Sequence, residues 1–208
     1  MTLLFKFLCV SCNPSIQDGI FNAEFPSIFL KIILPLALLV PLLLIYRNGI
    51  KKAAHGNLIL KAPVVAMSLI LGIGLGGFID AIILHQLLQW HQMISNILPP
   101  TTLTSKSINM FWDGVFEAVT WIYTFIGVLL MWHSRTQSRL TTSTAVFTGG
   151  LISGWGIFNL MDSIFNHYLF GFHDIRENAS HPNLYNLGFL IISFIFIAAG
   201  RSLIVRSK

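Results

Sequence analysis

Apolar residues run almost unbroken through five stretches of this chain, about Ser27–Tyr46, Val64–Trp90, Met110–Trp132, Ala145–Tyr168 and Leu184–Val205. Each reaches the length of roughly 20 residues that a helix needs to cross the hydrocarbon core of a bilayer. Polar residues gather between the stretches, so the pattern predicts an all-α integral membrane bundle of five transmembrane helices. Pro35 and Pro41 fall inside the first stretch, where membrane helices tolerate proline better than soluble ones. The expected organisation is an N-terminal tail over 1–26 and a single membrane domain over 27–208. Its core unit spans 62–208, and the first span is an addition to it.

Composition agrees with this pattern. The 208 residues are 54% hydrophobic and only 10% charged, whereas a soluble domain carries about 25% charged residues. The net charge of +5 would fit a nucleic-acid binder, but its distribution excludes that partner. Arg47, Lys51, Lys52, Lys61, Arg135, Arg139, Arg201, Arg206 and Lys208 all fall on one side of a five-span chain, nine of its 13 basic residues. The opposite loops hold only Lys106 and Arg176. The positive-inside rule makes the basic side cytoplasmic, with a periplasmic N-terminus and a cytoplasmic C-terminus in a bacterial inner membrane. The partner this implies is the lipid bilayer, and a homo-oligomer stays open.

A polar pattern is superimposed on the apolar one. Asp-x4-His-x5-His occurs twice, as Asp80, His85, His91 and as Asp162, His167, His173, with an offset of 82 residues. Gly72 and Gly74 precede the first copy as Gly154 and Gly156 precede the second. With 8 acidic residues and 7 histidines in the whole chain, this alignment is more telling than any match of apolar residues. It predicts two parallel helical hairpins, spans two–three and four–five, related by a pseudo-twofold axis along the membrane normal, as in some transporters. Gly72-x3-Gly76 and Gly150-x3-Gly154 are small-x3-small faces that allow close helix approach, which would bring Asp80 and Asp162 together.

Depth estimates converge on one region. At about 1.5 Å rise per residue, Asp80, Glu117 and Asp162 lie roughly 5–8 Å outward of the span midpoints, and His85, Asp113 and His167 roughly 11–15 Å. His91 and His173 are expected at the mouth, as outer ligands or gate residues. Asp113 and Glu117 share a helix face at i, i+4, and Asn159, Asp162 and Asn166 form a polar stripe. Asp80 and His85, five apart, sit about 140° from each other on a regular helix, so a π-bulge, a kink or different neighbours must account for the pair. Gly171 can end the fourth span and fold His173 back. Its counterpart Gln89 is not expected to do the same before His91.

Several carboxylates cannot all ionise in a medium of low dielectric without compensation, and no Lys or Arg lies at their depth. Protons or a cation must meet the charge, and a mixed shell of imidazole and carboxylate suits zinc, iron, manganese or copper(II). Helical bundles build such centres from inward-facing side chains. The candidate ligands are therefore Asp80, His85, His91, Asp113, Glu117, Asp162, His167 and His173, holding one divalent transition metal ion or a pair. The competing expectations are a proton or ion pathway and a haem with histidine axial ligands. His55, His133 and His181 read as solvated, Asp174, Arg176 and Glu177 as a solvated turn, and Trp90, Trp112 and Trp132 as interfacial anchors. Cys9 and Cys12 form a lone C-x-x-C in the tail.

The runs Gly77-Phe78-Ile79-Asp80, His85-Gln86-Leu87-Leu88-Gln89-Trp90-His91, Asp113-Gly114-Val115-Phe116, Gly156-Ile157-Phe158-Asn159 and His173-Asp174-Ile175-Arg176, with His167, resemble a bacterial family of predicted membrane proteins, domain of unknown function 2243. The resemblance covers about residues 62–205 and brings no established activity. Its members lie in genomes beside cytochrome-oxidase assembly factors, which implies metal delivery or redox biology and assembly proteins of respiratory oxidases as partners. The family commonly places His where this chain has Glu117, an exchange of one ligand type for another.

Overall fold

The structure is a computed structural model and describes residues 13–55, 59–137, 140–141 and 143–207. Cys9, Cys12, Arg139 and Lys208 lie outside the described residues. The described residues are mostly helical: α1 Pro14–Ile20, α2 Phe25–Ile33, α3 Leu39–His55, α4 Ala62–Asp80, α5 Leu103–Ser134, α6 Thr144–Asp162 and α7 Pro182–Arg206. Among the described residues no strand forms. Five helical stretches are long and apolar enough to cross a membrane: Phe25–Ala54, Ala62–Leu87, Leu103–Ser134, Thr144–Leu169 and Pro182–Arg206. This is a multi-pass membrane protein.

The first span is not one regular helix. Its prolines interrupt the hydrogen-bond ladder, and α2 joins α3 through a tight 3-10 turn at Leu34–Leu38. The Pro35 carbonyl, within that turn, accepts the Tyr123 hydroxyl from α5. Part of the segment expected as tail is the short helix α1, begun by Asn13, whose side chain accepts the Ser15 N–H at 3.0 Å. It buries Ile16 and Ile20.

α4 and α6 form the centre of the bundle, and glycine determines how closely they pack. A Cβ on Gly72 would strike the Leu151 carbonyl, and one on Gly154 would strike the Leu69 carbonyl and lie 2.9 Å from Gly72 Cα. Gly76 lies against Trp155 and Gly150 against Ser68, so both small-x3-small faces expected from the sequence point at each other. Gly74 and Gly156 turn the other way: Gly74 makes room for Thr124 of α5, and Gly156 for Ser193 and Ile197 of α7.

Both central helices end in the same way. α4 continues into a π-helical segment, Ala81–Leu87, and α6 into another, Ser163–Leu169. The last π turns close with Leu88 N–H to Ile83 O at 2.9 Å and Phe170 N–H to Phe165 O at 2.7 Å. The chain then reverses through a left-handed residue, Gln89 with φ 50° and Gly171 with φ 60°. After these turns Trp90 N–H reaches Leu84 O, and Phe172 N–H reaches Asn166 O. The reversal is therefore shared, contrary to the expectation for Gln89. Glutamine carries out the turn at the steric penalty of a Cβ in that region.

Two outcomes follow. Gly154→Val, which forces α6 off α4, should cost about 1–3 kcal/mol as an overpacked contact and lower the thermal midpoint by several degrees in detergent; an unchanged midpoint contradicts the close crossing. Gly171 has open space around a built Cβ, so Gly171→Ala should destabilise through its backbone alone, and Gln89→Gly should stabilise, each by about 1 kcal/mol. Thermal scans that move both variants in the same direction contradict the paired left-handed turns.

Candidate metal centre

The π segments resolve the angular problem posed by the two Asp-x4-His pairs. A π turn bonds i to i+5, so the fifth residue lies over the first. His85 Nε2 comes 3.2 Å from Asp80 Oδ2, and His167 Nε2 comes 2.9 Å from Asp162 Oδ2. The 3.2 Å approach lacks hydrogen-bond alignment, and both Asp80 oxygens and His85 Nε2 have no hydrogen-bond partner.

The reversals at Gln89 and Gly171 return the chain beneath these pairs. His91 and His173 are 1% and 0% exposed, so they lie at the centre of the cluster and not at a mouth. Their rings stack at 4.4 Å with 7° between planes. His85 lies 4.3 Å from His91, and His167 lies 4.7 Å from His173, centroid to centroid.

Each imidazole is oriented through Nδ1. His91 Nδ1 meets the Ile175 carbonyl at 2.9 Å, and His173 Nδ1 meets the Met93 carbonyl at 3.0 Å. Each reversal loop thus holds the other's histidine, and the partner carbonyls are themselves 82 residues apart. His85 Nδ1 lies 2.9 Å from Asp113 Oδ1, and His167 Nδ1 lies 2.9 Å from the His173 carbonyl. Asp113 also accepts the Met93 N–H at 2.7 Å, and Asn186 does the same for Ile175 N–H at 2.9 Å. An Nδ1–H donated to an oxygen leaves Nε2 as the bare lone pair, the arrangement that orients histidine ligands toward metals.

Nε2 of His91 and of His173 is buried without a partner, as His85 Nε2 is. Ligand atoms of His85, His91 and His173 lie within 4.8 Å of one another, as do those of Asp162, His167 and His173. His173 belongs to both groups. A tetrahedral ion with bonds near 2.0–2.1 Å needs nitrogens about 3.3–3.4 Å apart, a spacing that falls inside the 4.8 Å limit of both groups. Burial, followed by the neighbouring imidazoles, depresses both His91, well below its ordinary value, and His173, down to about 3. Both are neutral ligand donors at neutral pH. Among the described residues, Asp80, Asp113 and Asp162 form ion pairs with histidine only.

The structure gathers seven of the eight sequence candidates: Asp80, His85, His91, Asp113, Asp162, His167 and His173. Asp113 acts on His85 Nδ1. Glu117 sits one turn along α5, half-buried, and accepts a hydrogen bond from Gln86, with no contact to the imidazoles among the described residues. Asn166 of the polar stripe donates to Asp162 Oδ1 at 2.7 Å.

Other expectations need correction. Trp112 is no interfacial anchor; it is 1% exposed and packs on Phe25 and Phe111. The turn at Asp174, Arg176 and Glu177 is tied down. Asp174 accepts from Asn186 and Asn96, Glu177 accepts from Ser95, and Arg176 lies over Trp90 and Tyr185. Burial, then the Asp174 charge, raises the Glu177 carboxyl to about 7. The anchoring role of the Met93 and Ile175 carbonyls was not foreseen, because a backbone acceptor leaves no mark on residue type. Asn109 and Asn186, each accepting a loop N–H, had a signal: lone amides in apolar spans.

Neither the curated proteins nor the solved structures hold a match to this chain. A family model described as predicted membrane protein, domain of unknown function 2243, matches residues 67–207. The reversal loops and all seven clustered residues lie inside that match, and the first span lies outside it. The chain belongs to this family of predicted membrane proteins.

Proposed function

We propose that the chain is a membrane metal-binding protein whose buried cluster holds a divalent transition metal ion, or a pair of them. The observation that carries this reading is that ligand atoms of His85, His91 and His173 lie within 4.8 Å of one another, while Nε2 of each has no hydrogen-bond partner and each Nδ1 is already committed. A buried polar atom without a partner is expensive, and an ion offers all three one partner. Asp80 and Asp162 supply the negative charge, and Asp113 keeps His85 oriented. Glu117 is the weakest member of the proposed ligand set, since its carboxylate accepts from Gln86.

The metal fits zinc, iron, manganese or copper by donor type. Enclosure of the cluster favours a resident ion, in a metal-dependent membrane enzyme or a metal-handling protein for respiratory oxidase assembly. The haem alternative is disfavoured, since a porphyrin must separate its axial imidazoles while His91 and His173 stack directly. The proton-pathway alternative is disfavoured by the apolar packing of Ile70, Ile73 and Val119 around the central helices. The positive-inside distribution supports reading the cluster as lying in the periplasmic half of a bacterial inner membrane. The matched helix lengths, π segments, reversals and exchanged histidine bonds support reading the two hairpins as an internal repeat.

Elemental analysis of protein purified in mild detergent should find about one or two metal ions per chain, with no haem band in the visible spectrum. His173→Ala, which removes the donor common to both groups, should lower the content by at least tenfold. Glu117→Gln should leave it within twofold. Metal-free protein after reconstitution under both reducing and oxidising conditions sinks the reading, as does full occupancy in His173→Ala.

A further inference from the structure

A cavity of about 170 Å³ lies on the flank of the bundle where α4, α6 and α7 meet. Ile79, Ile83 and Ile192 stand at its rim and are exposed on the apolar surface of the spans, so it opens toward the bilayer. Its walls are Leu84, Trp155, Phe189 and Phe196, with the Trp155 and Phe196 rings edge-on at 4.9 Å. Two polar side chains reach it, Asp80 and Asn159, 4% and 3% exposed. Both carboxylate oxygens of Asp80 and Oδ1 of Asn159 have no hydrogen-bond partner.

The opposite flank has a matching cleft around Asp162, Met161, Phe165 and Asn166, the positions 82 residues beyond Asp80, Ile79, Ile83 and Leu84. There the first span inserts Ile32 and Pro35, and the space shrinks to about 30 Å³. Asp162 also has its hydrogen bonds from Asn166 and His167. One cleft is therefore filled by the protein itself, with its carboxylate satisfied. The other is left open to lipid, with Asn159 Oδ1 and both Asp80 oxygens lacking a hydrogen bond, although Asp80 Oδ2 lies 3.2 Å from His85 Nε2.

We infer that the open cleft binds a membrane-dissolved phenol or hydroquinone, whose ring packs on Trp155, Phe189 and Phe196 and whose hydroxyl donates to Asn159 Oδ1 and the Asp80 carboxylate. Lipid acyl chains cannot donate to these oxygens, and a water-soluble ligand would have to cross the apolar rim. An apolar cavity of about 150 Å³ holds a benzene ring, so the size suits one aromatic ring with its tail in the bilayer. An unpaired buried acceptor costs about 1–3 kcal/mol, which the incoming donor relieves. The site shares Asp80 with the proposed metal centre, and its other lining residues lie outside that centre.

The test is photolabelling of the full chain in lipid nanodiscs with an alkylphenol bearing a diazirine on its tail, read by peptide mass spectrometry. Saturable labelling should map to residues 79–84 and 189–196. An unlabelled alkylphenol should compete, and its methyl ether should compete at least tenfold more weakly. Asn159→Leu should reduce labelling at least tenfold. Ile192→Trp, which fills the cleft from the lipid side, should block it while metal content stays at the wild-type level. Labelling spread without saturation over all spans, or equal competition by the methyl ether, overturns the inference. Measuring metal in the same samples separates the two readings: metal without competed labelling leaves the centre standing and removes the cleft, and the reverse removes the centre.

Discussion

Everything at the candidate centre depends on replacing two α turns by π turns. In a regular helix the acid and the histidine of each Asp-x4-His pair would face different neighbours. Widening the backbone to i→i+5 bonding over Ala81–Leu87 and Ser163–Leu169 puts both on the inner face. π-helical segments are rare, since their packing along the axis is poor, and they gather at functional sites. Here two occur at equivalent places, and each ends in a left-handed residue. Those residues turn the chain back so that a third ligand-type residue arrives from below. Glycine contacts between α4 and α6 then bring the two triplets within reach of each other.

The cluster is also preorganised. Four imidazoles lie together with every Nδ1 engaged by a carbonyl or carboxylate, so their orientation does not depend on a bound ion. The loops are cross-tied: His91 is held by the Ile175 carbonyl and His173 by the Met93 carbonyl. Neither loop can leave without releasing the other's histidine. The two halves differ where Asp113 contacts His85, since His167 uses the His173 carbonyl instead. Any ion held there meets an asymmetric set of donors.

Much of this was legible in the sequence. Hydropathy located all five spans, ending the first eight residues early at Tyr46 and starting the third seven residues late at Met110, and the scarcity of acids and histidines made the 82-residue offset visible. Small-x3-small spacing identified the α4–α6 contact. What stayed hidden was backbone conformation. The five-residue gap announced an irregular helix at Asp80–His85 but not which irregularity, and Gln89 concealed a left-handed turn that Gly171 advertised. Depth counted along regular helices put His91 and His173 at the mouth, because it could not foresee the chain folding back. It also gave Glu117 the same standing as Asp113, although only Asp113 meets the histidines, with Glu117 turned to Gln86.

The central claim is that imidazole Nε2 atoms from two pseudo-equivalent loops share a metal. X-ray absorption spectroscopy of the metal-loaded protein tests it most directly. The account predicts a first shell of nitrogen and oxygen at about 2.0–2.2 Å, with multiple scattering from at least three imidazoles. A shell of water and carboxylate oxygen without imidazole scattering would contradict it.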